Sequence, residues 1–175
     1  RTDLQAHLKD SSKAIDATQY RHSTHYLDNI AWDQVAKAIA ENGLDAADSK
    51  VKVIFVPTYL NQNDGIFNKN YYELLVGMDL TVFASYYEPW GYTPLESIAF
   101  SVPTITTTLA GFGVWAAGLE NHDGITVIER NDTNSSQAAA EIALTIQQFA
   151  SRQQDEVEAL RASAYELSKL ALWKN

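Results

Sequence analysis

The chain has 175 residues, with 13 Lys+Arg against 22 Asp+Glu for a net charge of −9, and 46% of its residues are apolar against 20% charged. That is a globular composition, long enough for one domain with a continuous core, and the acidic excess excludes a nucleic-acid or anionic-membrane surface, because both need a positive field. The absence of cysteine excludes disulfides, a thiol nucleophile and any cysteine-ligated zinc or iron–sulfur site.

Residues 1–50 read as a polar, helical lead-in. Leu4, Leu8 and Ile15 are sparse, and the stretch 9–29, with His22 and His25 among its polar residues, reads as a loop or a poorly anchored helix. Trp32, Val35, Ala36, Ile39 and Ala40 then fall at helical intervals until Gly43 interrupts them. From residue 51 to about 130 the pattern becomes that of an α/β core. Val51-Lys52-Val53-Ile54-Phe55-Val56, ended by Pro57, predicts a buried strand. Leu80-Thr81-Val82-Phe83-Ala84, Thr104-Ile105-Thr106 and Ile125-Thr126-Val127-Ile128 predict three more. Helix-like segments at 71–77, 94–101 and 114–119 lie between them. This alternation implies about four parallel strands joined by right-handed crossovers. Residues 134–173 predict long C-terminal helices, with Ile142, Ile146 and Phe149 as one apolar stripe and Val157, Leu160, Ala164, Leu167 and Ala171 as a second.

Ligands of such sheets bind beyond the carboxyl ends of the strands, which directs attention to the loops at 57–68, 85–93 and 106–113. The middle one, Ser85-Tyr86-Tyr87-Glu88-Pro89-Trp90-Gly91-Tyr92-Thr93-Pro94-Leu95-Glu96, leaves a strand and starts a helix. Thr93 suits the N-cap and Pro94 the first helical position, with Glu96 as the capping-box glutamate three residues on. Gly91 permits a close backbone approach, so the amides of Tyr92 and Thr93 form an anion site shaped for a diphosphate. Glu88 reads either as a solvated surface carboxylate or as a reactive one, and Tyr86, Tyr87 and Trp90 either as core or as a sugar platform. The histidines show no catalytic pattern and read as polar surface. Two glycosylation sequons, at Asn131 and Asn134, are of a kind common by chance.

Seven residues separate Glu88 from Glu96, which is the E-x7-E spacing of retaining GT-B glycosyltransferases. The run Ser85-Tyr86-Tyr87-Glu88-Pro89-Trp90-Gly91-Tyr92-Thr93-Pro94 closely resembles the glycogen synthases of animals and fungi, as do Val102-Pro103-Thr104-Ile105-Thr106-Thr107 and Gly111-Phe112-Gly113. The resemblance is strong over residues 51–115, weaker to 173 and faint before 51. It implies a Rossmann-like sheet and the latter part of a UDP-glucose-binding C-terminal domain, spanning 1–175 without the acceptor-side domain. It also implies a processed or excised piece, in keeping with Arg1 in first place. Carried over by position, Glu88 lies against the donor glucose, Glu96 near the donor ribose and Tyr71 stacks on uracil. Trp90 and Gly91 shape the sugar pocket, and Tyr92 and Thr93 offer amides to the phosphates. The family's basic pair for the diphosphate has no counterpart before residue 51.

The implied reaction is retaining transfer of glucose from UDP-glucose to the non-reducing end of an α-1,4-glucan. It needs no metal and no other cofactor, since helix N-termini and basic side chains meet the charge of the leaving UDP. A non-catalytic nucleotide- or sugar-binding module, a glycosyltransferase with another donor, and a receiver-like domain are the alternatives. The last would need an acidic cluster where Pro57-Thr58 stands. Without a signal peptide or an apolar run of ~20 residues the expected location is the cytoplasm, with no membrane partner. A partly orphaned second stripe suggests a homo-oligomer. The helix at 151–161 offers only Arg152 and Arg161 among Asp155, Glu156 and Glu158, where animal and fungal members bind glucose 6-phosphate through many arginines. That predicts a bacterial-type member without this regulation.

Overall fold

The computed structural model describes residues 23–172. The helical readings of Leu4, Leu8 and Ile15, the position of His22 and the end of the last helix near Trp173 lie outside them. The chain divides into two compact units, Arg1–Tyr71 and Tyr72–Asn175.

In the first unit a 3-10 turn, Ile30–Trp32, leads into helix α1, Gln34–Glu41. Asp33 starts α1 because its Oδ1 accepts from the N–H groups of Val35 and Ala36, both at 2.9 Å. Those donors have no carbonyl one turn earlier. Ala36 and Ile39 are buried, whereas Trp32 of the expected stripe is 86% exposed. Residues 51–56 do not form the expected strand among the described residues. They make a single parallel bridge, Ser23 to Phe55, with the Thr24 N–H donating to the Phe55 carbonyl at 2.9 Å. β-Branched residues settle as a buried strand only where a ladder and two covering faces exist, and here Val51 and Ile54 stay exposed. His25, expected on the polar surface, is buried, its Nε2 bonded to the Asp64 carbonyl at 2.6 Å. The Asp64 carboxylate accepts from the N–H groups of Ile66, Phe67 and Asn68. Burial acts to raise its pKa, but these backbone donors outweigh burial and hold it below the ordinary carboxylate value.

Helix α2, Tyr71–Leu75, contains the boundary between the units. The second unit continues with β1 (Thr81–Val82), α3 (Tyr92–Ala99), β2 (Thr104–Thr107), α4 (Gly111–Ala117), β3 (Ile125–Ile128), α5 (Ser135–Ala150) and α6 (Gln154–Ser168). The three strands are parallel in the order β1-β2-β3, with Thr81 opposite Thr104 and Thr104 opposite Ile125. The sheet is therefore the Rossmann-like α/β arrangement expected, one strand smaller among the described residues.

Successive side chains of a strand face opposite layers, and β3 shows it. Ile125 and Val127 join Ile98 of α3, Phe112 and Ala116 of α4, and Ala164 and Leu167 of α6. Ile128 turns the other way and, with Ile105 of β2, packs on Ala138 and Ile142 of α5. Helices thus cover both faces. Three hydroxyls between the sheet and α3 pair with one another: Thr81 Oγ1 lies 2.6 Å from Ser97 Oγ and 3.0 Å from Thr104 Oγ1, and Ser97 donates to the Val102 carbonyl at 2.9 Å, whereas the buried Thr106 Oγ1 has no hydrogen-bond partner among the described residues. The stripe Val157, Leu160, Ala164, Leu167 and Ala171, expected to be partly orphaned, is buried at its centre and half-buried at Val157, Leu160 and Ala171. Ala164 and Leu167 are buried against α3, α4 and β3, and none of the five is exposed.

Candidate functional site

Parallel strands leave their carboxyl ends on one edge, so the segments after β1, β2 and β3 lie there together. The segment after β1 does not swing free. Beyond Val82 it keeps pairing with the chain that follows β2. Thr107 Oγ1 donates to the Ser85 carbonyl at 2.8 Å. The Glu88 N–H donates to Leu109 at 3.2 Å, the Gly111 N–H to Glu88 at 3.0 Å and the Phe112 N–H to Trp90 at 2.6 Å. A Cβ at Gly111 would collide with the Pro89 carbonyl, so the close approach needs a glycine there. The backbone of Glu88 is held on both sides in this way. Its half-buried carboxylate makes no hydrogen bond or ion pair among the described residues.

Helix α3 starts two residues earlier than the sequence suggests. Gly91, at φ 105°, is its N-cap, and no side chain caps it. Thr93 is therefore inside the first turn and is not the N-cap, and Pro94 is the third helical residue. Glycine's freedom to adopt positive φ makes the sharp turn, and proline is tolerated there because that position has no intrahelical acceptor to lose. The N–H groups of Tyr92 and Thr93 have no protein acceptor among the described residues, and both residues are exposed. Glu96 does not close a capping box. Its Oε1 accepts from the Tyr72 hydroxyl at 2.8 Å, and Tyr72 is stacked on Phe100 with ring centroids 5.1 Å apart. That bond, together with the charge of Glu96, raises the Tyr72 pKa.

Trp90 points into the core, 6.1 Å from both Phe112 and Trp115 between ring centroids, and supports the loop from beneath. Tyr87 is 81% exposed. The second unit thus carries Glu88, Trp90, Gly91, Tyr92, Thr93 and Glu96 on one loop and helix. Tyr71 belongs to the first unit, where it opens α2. After β3, Arg130 lies with its guanidinium 4.9 Å from the Tyr86 ring centroid, and its Nη1 donates to the Ala84 carbonyl at 2.7 Å. The Tyr86 hydroxyl donates to Asp132 Oδ1 at 3.0 Å, which together with the charge of Asp132 raises the Tyr86 pKa. No group of three or more His, Cys, Asp or Glu suited to a metal ion occurs among the described residues, and no helix among them is long and apolar enough to cross a membrane.

The family profile described as glycogen synthase matches residues 14–175. The chain belongs to the glycogen synthase family. It is 35% identical over 158 residues to glycogen (starch) synthase isoform 1 of Saccharomyces cerevisiae, covering 86% of this chain and 22% of that protein. It is 33% identical over 147 residues to glycogen (starch) synthase of Caenorhabditis elegans, covering 82% and 22%. Against the liver glycogen (starch) synthase of Rattus norvegicus the identity is 40% over 107 residues, 58% of this chain and 15% of that one. The chain spans about a fifth of the length of the curated relatives it matches. These relatives are fungal and animal, so the bacterial assignment drawn from the arginine-poor helix finds no support.

For a chain of the glycogen synthase family, Arg130, Asp132 and Tyr72 are the residues at this edge that motif reading misses. The carboxyl-end rule, extended to the strand at 125–128, reaches Arg130 two residues later. Tyr72 leaves no such trace, because its contact with Glu96 joins helices far apart in sequence. The sequon asparagines have a local task. Asn131 Oδ1 accepts from the Thr133 N–H at 2.9 Å, and Asn134 Oδ1 accepts from the Asn131 N–H at 2.8 Å, closing the turn after β3.

Proposed function

We propose that the chain is the latter part of the donor-binding domain of a retaining GT-B glycosyltransferase. The full-length enzyme transfers glucose from UDP-glucose to the non-reducing end of an α-1,4-glucan, in the cytoplasm and without a metal cofactor. The observation that carries the reading is Glu88. Its backbone is pinned at the carboxyl end of a parallel sheet and its carboxylate has no partner among the described residues, three residues before a helix N-terminus whose first amides have no acceptor among them either. A carboxylate so placed stabilises the oxocarbenium-like charge that develops as the glycosidic bond to UDP breaks. The open amides of Tyr92 and Thr93, at the positive end of α3, take the phosphate charge. Glu96 binds ribose hydroxyls. Gly91 keeps the sugar pocket open, and Trp90 holds the loop to the core.

In the full-length enzyme, Glu88→Ala removes this carboxylate and leaves the backbone hydrogen bonds of residue 88 in place. Glucosyl transfer falls about a hundredfold or more, with thermal unfolding unchanged. Normal turnover by a folded Glu88→Ala enzyme would refute the reading.

A further inference from the structure

We propose that Arg130 is a positioning residue that holds the Glu88 loop through Ala84 and Tyr86. The inference rests on the reading of Glu88 given above and adds to it the device that fixes where Glu88 stands.

Arg130 is itself well placed to act as an anchor. Its N–H donates to Thr108 Oγ1 at 3.0 Å, and the Thr108 N–H donates to the Ile128 carbonyl at 3.0 Å, so the β2–β3 pairing continues up to it. From that fixed point the guanidinium reaches across to the other loop, where Nη1 bonds the Ala84 carbonyl and the plane covers the ring of Tyr86. Asp132, two residues on, accepts from the Tyr86 hydroxyl. The 130–132 segment therefore grips residues 84–86 at a carbonyl, a ring face and a hydroxyl. Tyr86 is 52% exposed, so these contacts, more than a surrounding core, set the position of its ring. Glu88 follows two residues later, pinned on its far side by Leu109 and Gly111.

The contact set needs arginine. A planar guanidinium can lie on an aromatic face and donate in its own plane at the same time, whereas an ammonium is a point charge that serves one or the other. A shift of about 1 Å in a reacting group costs on the order of a hundredfold in rate, so a grip two residues away bears on turnover without touching the donor.

The test uses the full-length enzyme with Arg130→Lys, Tyr86→Leu and Glu88→Ala, measuring glucosyl-transfer kcat, donor KM and UDP affinity by calorimetry. Arg130→Lys keeps the charge and loses the planar fork. Tyr86→Leu removes the ledge and hydroxyl from an exposed position, and decides the matter if Arg130→Lys does not fold. The expected result is a fall in kcat of about ten- to a hundredfold in both, with UDP affinity within about twofold of the parent. Unchanged kcat in these variants overturns the proposal. A fall in UDP affinity that tracks the fall in turnover also overturns it, by assigning the guanidinium, whose buried Nε has no partner among the described residues, to the donor. Glu88→Ala separates the two ideas: an active Glu88→Ala enzyme refutes the reading of Glu88 itself, whereas an inactive one beside an unaffected Arg130→Lys refutes only the positioning role.

Discussion

Glu88 and Glu96 are the same side chain in different surroundings. Glu88 has a held backbone and a carboxylate without a partner among the described residues, whereas Glu96 spends one oxygen on the Tyr72 hydroxyl. A glutamine at 96 still offers Tyr72 a carbonyl acceptor, so Glu96→Gln is expected to leave the unfolding temperature of the full-length enzyme unchanged. If the charged oxygen also binds ribose, calorimetry shows UDP affinity weakened by about 1–3 kcal/mol. Unchanged affinity would leave Glu96 only its bond to Tyr72. Asp64 allows a pH test of the first unit. Its folded pKa is depressed by backbone donors despite burial, so its contribution to stability is present above the unfolded value of about 3.9. That contribution is lost as pH falls through the lower folded value. Asp64→Asn keeps an acceptor and loses the charge. The gap in unfolding temperature between parent and variant should be largest near neutral pH and close towards pH 3. A gap of constant size over that range would show the carboxylate to be energetically idle.

Among the elements, the junction between the loop after β1 and the start of α4 is the tightest. The Gly111 N–H bonds Glu88, and a Cβ at Gly111 meets the Pro89 carbonyl, with Trp90 Cα only 3.2 Å away. Those are backbone atoms and cannot rotate aside. Gly111→Ala is therefore expected to cost about 1–3 kcal/mol by thermal or denaturant unfolding, the usual cost of overpacking a close contact, and to lower turnover by moving Glu88. Gly118 is the matched control. Its φ is −84° and an added Cβ finds only ordinary contact, so Gly118→Ala is expected to be neutral. Equal stability for both alanine variants would show that the loop can withdraw from α4 at no cost.

For the molecule as a whole, α6 is a wall of the second unit, and its cations are occupied. The Arg161 guanidinium donates to the Met78 carbonyl at 2.6 Å and the Ser101 carbonyl at 3.3 Å, with Asp79 at 3.4 Å. Arg152, in the turn before α6, pairs with Glu156 of the helix at 4.0 Å. A phosphate dianion is held by several convergent guanidiniums, and recruiting Arg161 would strip two carbonyls of their donor. Glucose 6-phosphate at millimolar concentration is accordingly expected not to raise the rate of the full-length enzyme. A several-fold activation in a transfer assay would show that this helix binds it after all. The net charge of −9 adds a diffuse repulsion of the same sign.

The strands at 81–82, 104–107 and 125–128 and the loop from Ser85 to Glu96 were legible in the residues alone. Apolar periodicity, Gly91 and Pro94 are local signals, and a motif this specific identifies a family by itself. Local signals also mark where helices lie, although not where they begin. The start of α3 depends on a positive φ at Gly91 that only the packed loop enforces. The run at 51–56 has every local mark of a strand and is not one among the described residues, because a strand is completed by neighbours in space. His25 reads as surface and is buried for the same reason, its partner Asp64 lying 39 positions away. The partners of Glu96 and Tyr86, the grip of Arg130 and the burial of the centre of the α6 stripe were likewise decided by tertiary structure alone. Each is a contact between segments distant in sequence, and the periodicity of one segment carries no information about what the fold will bring against it.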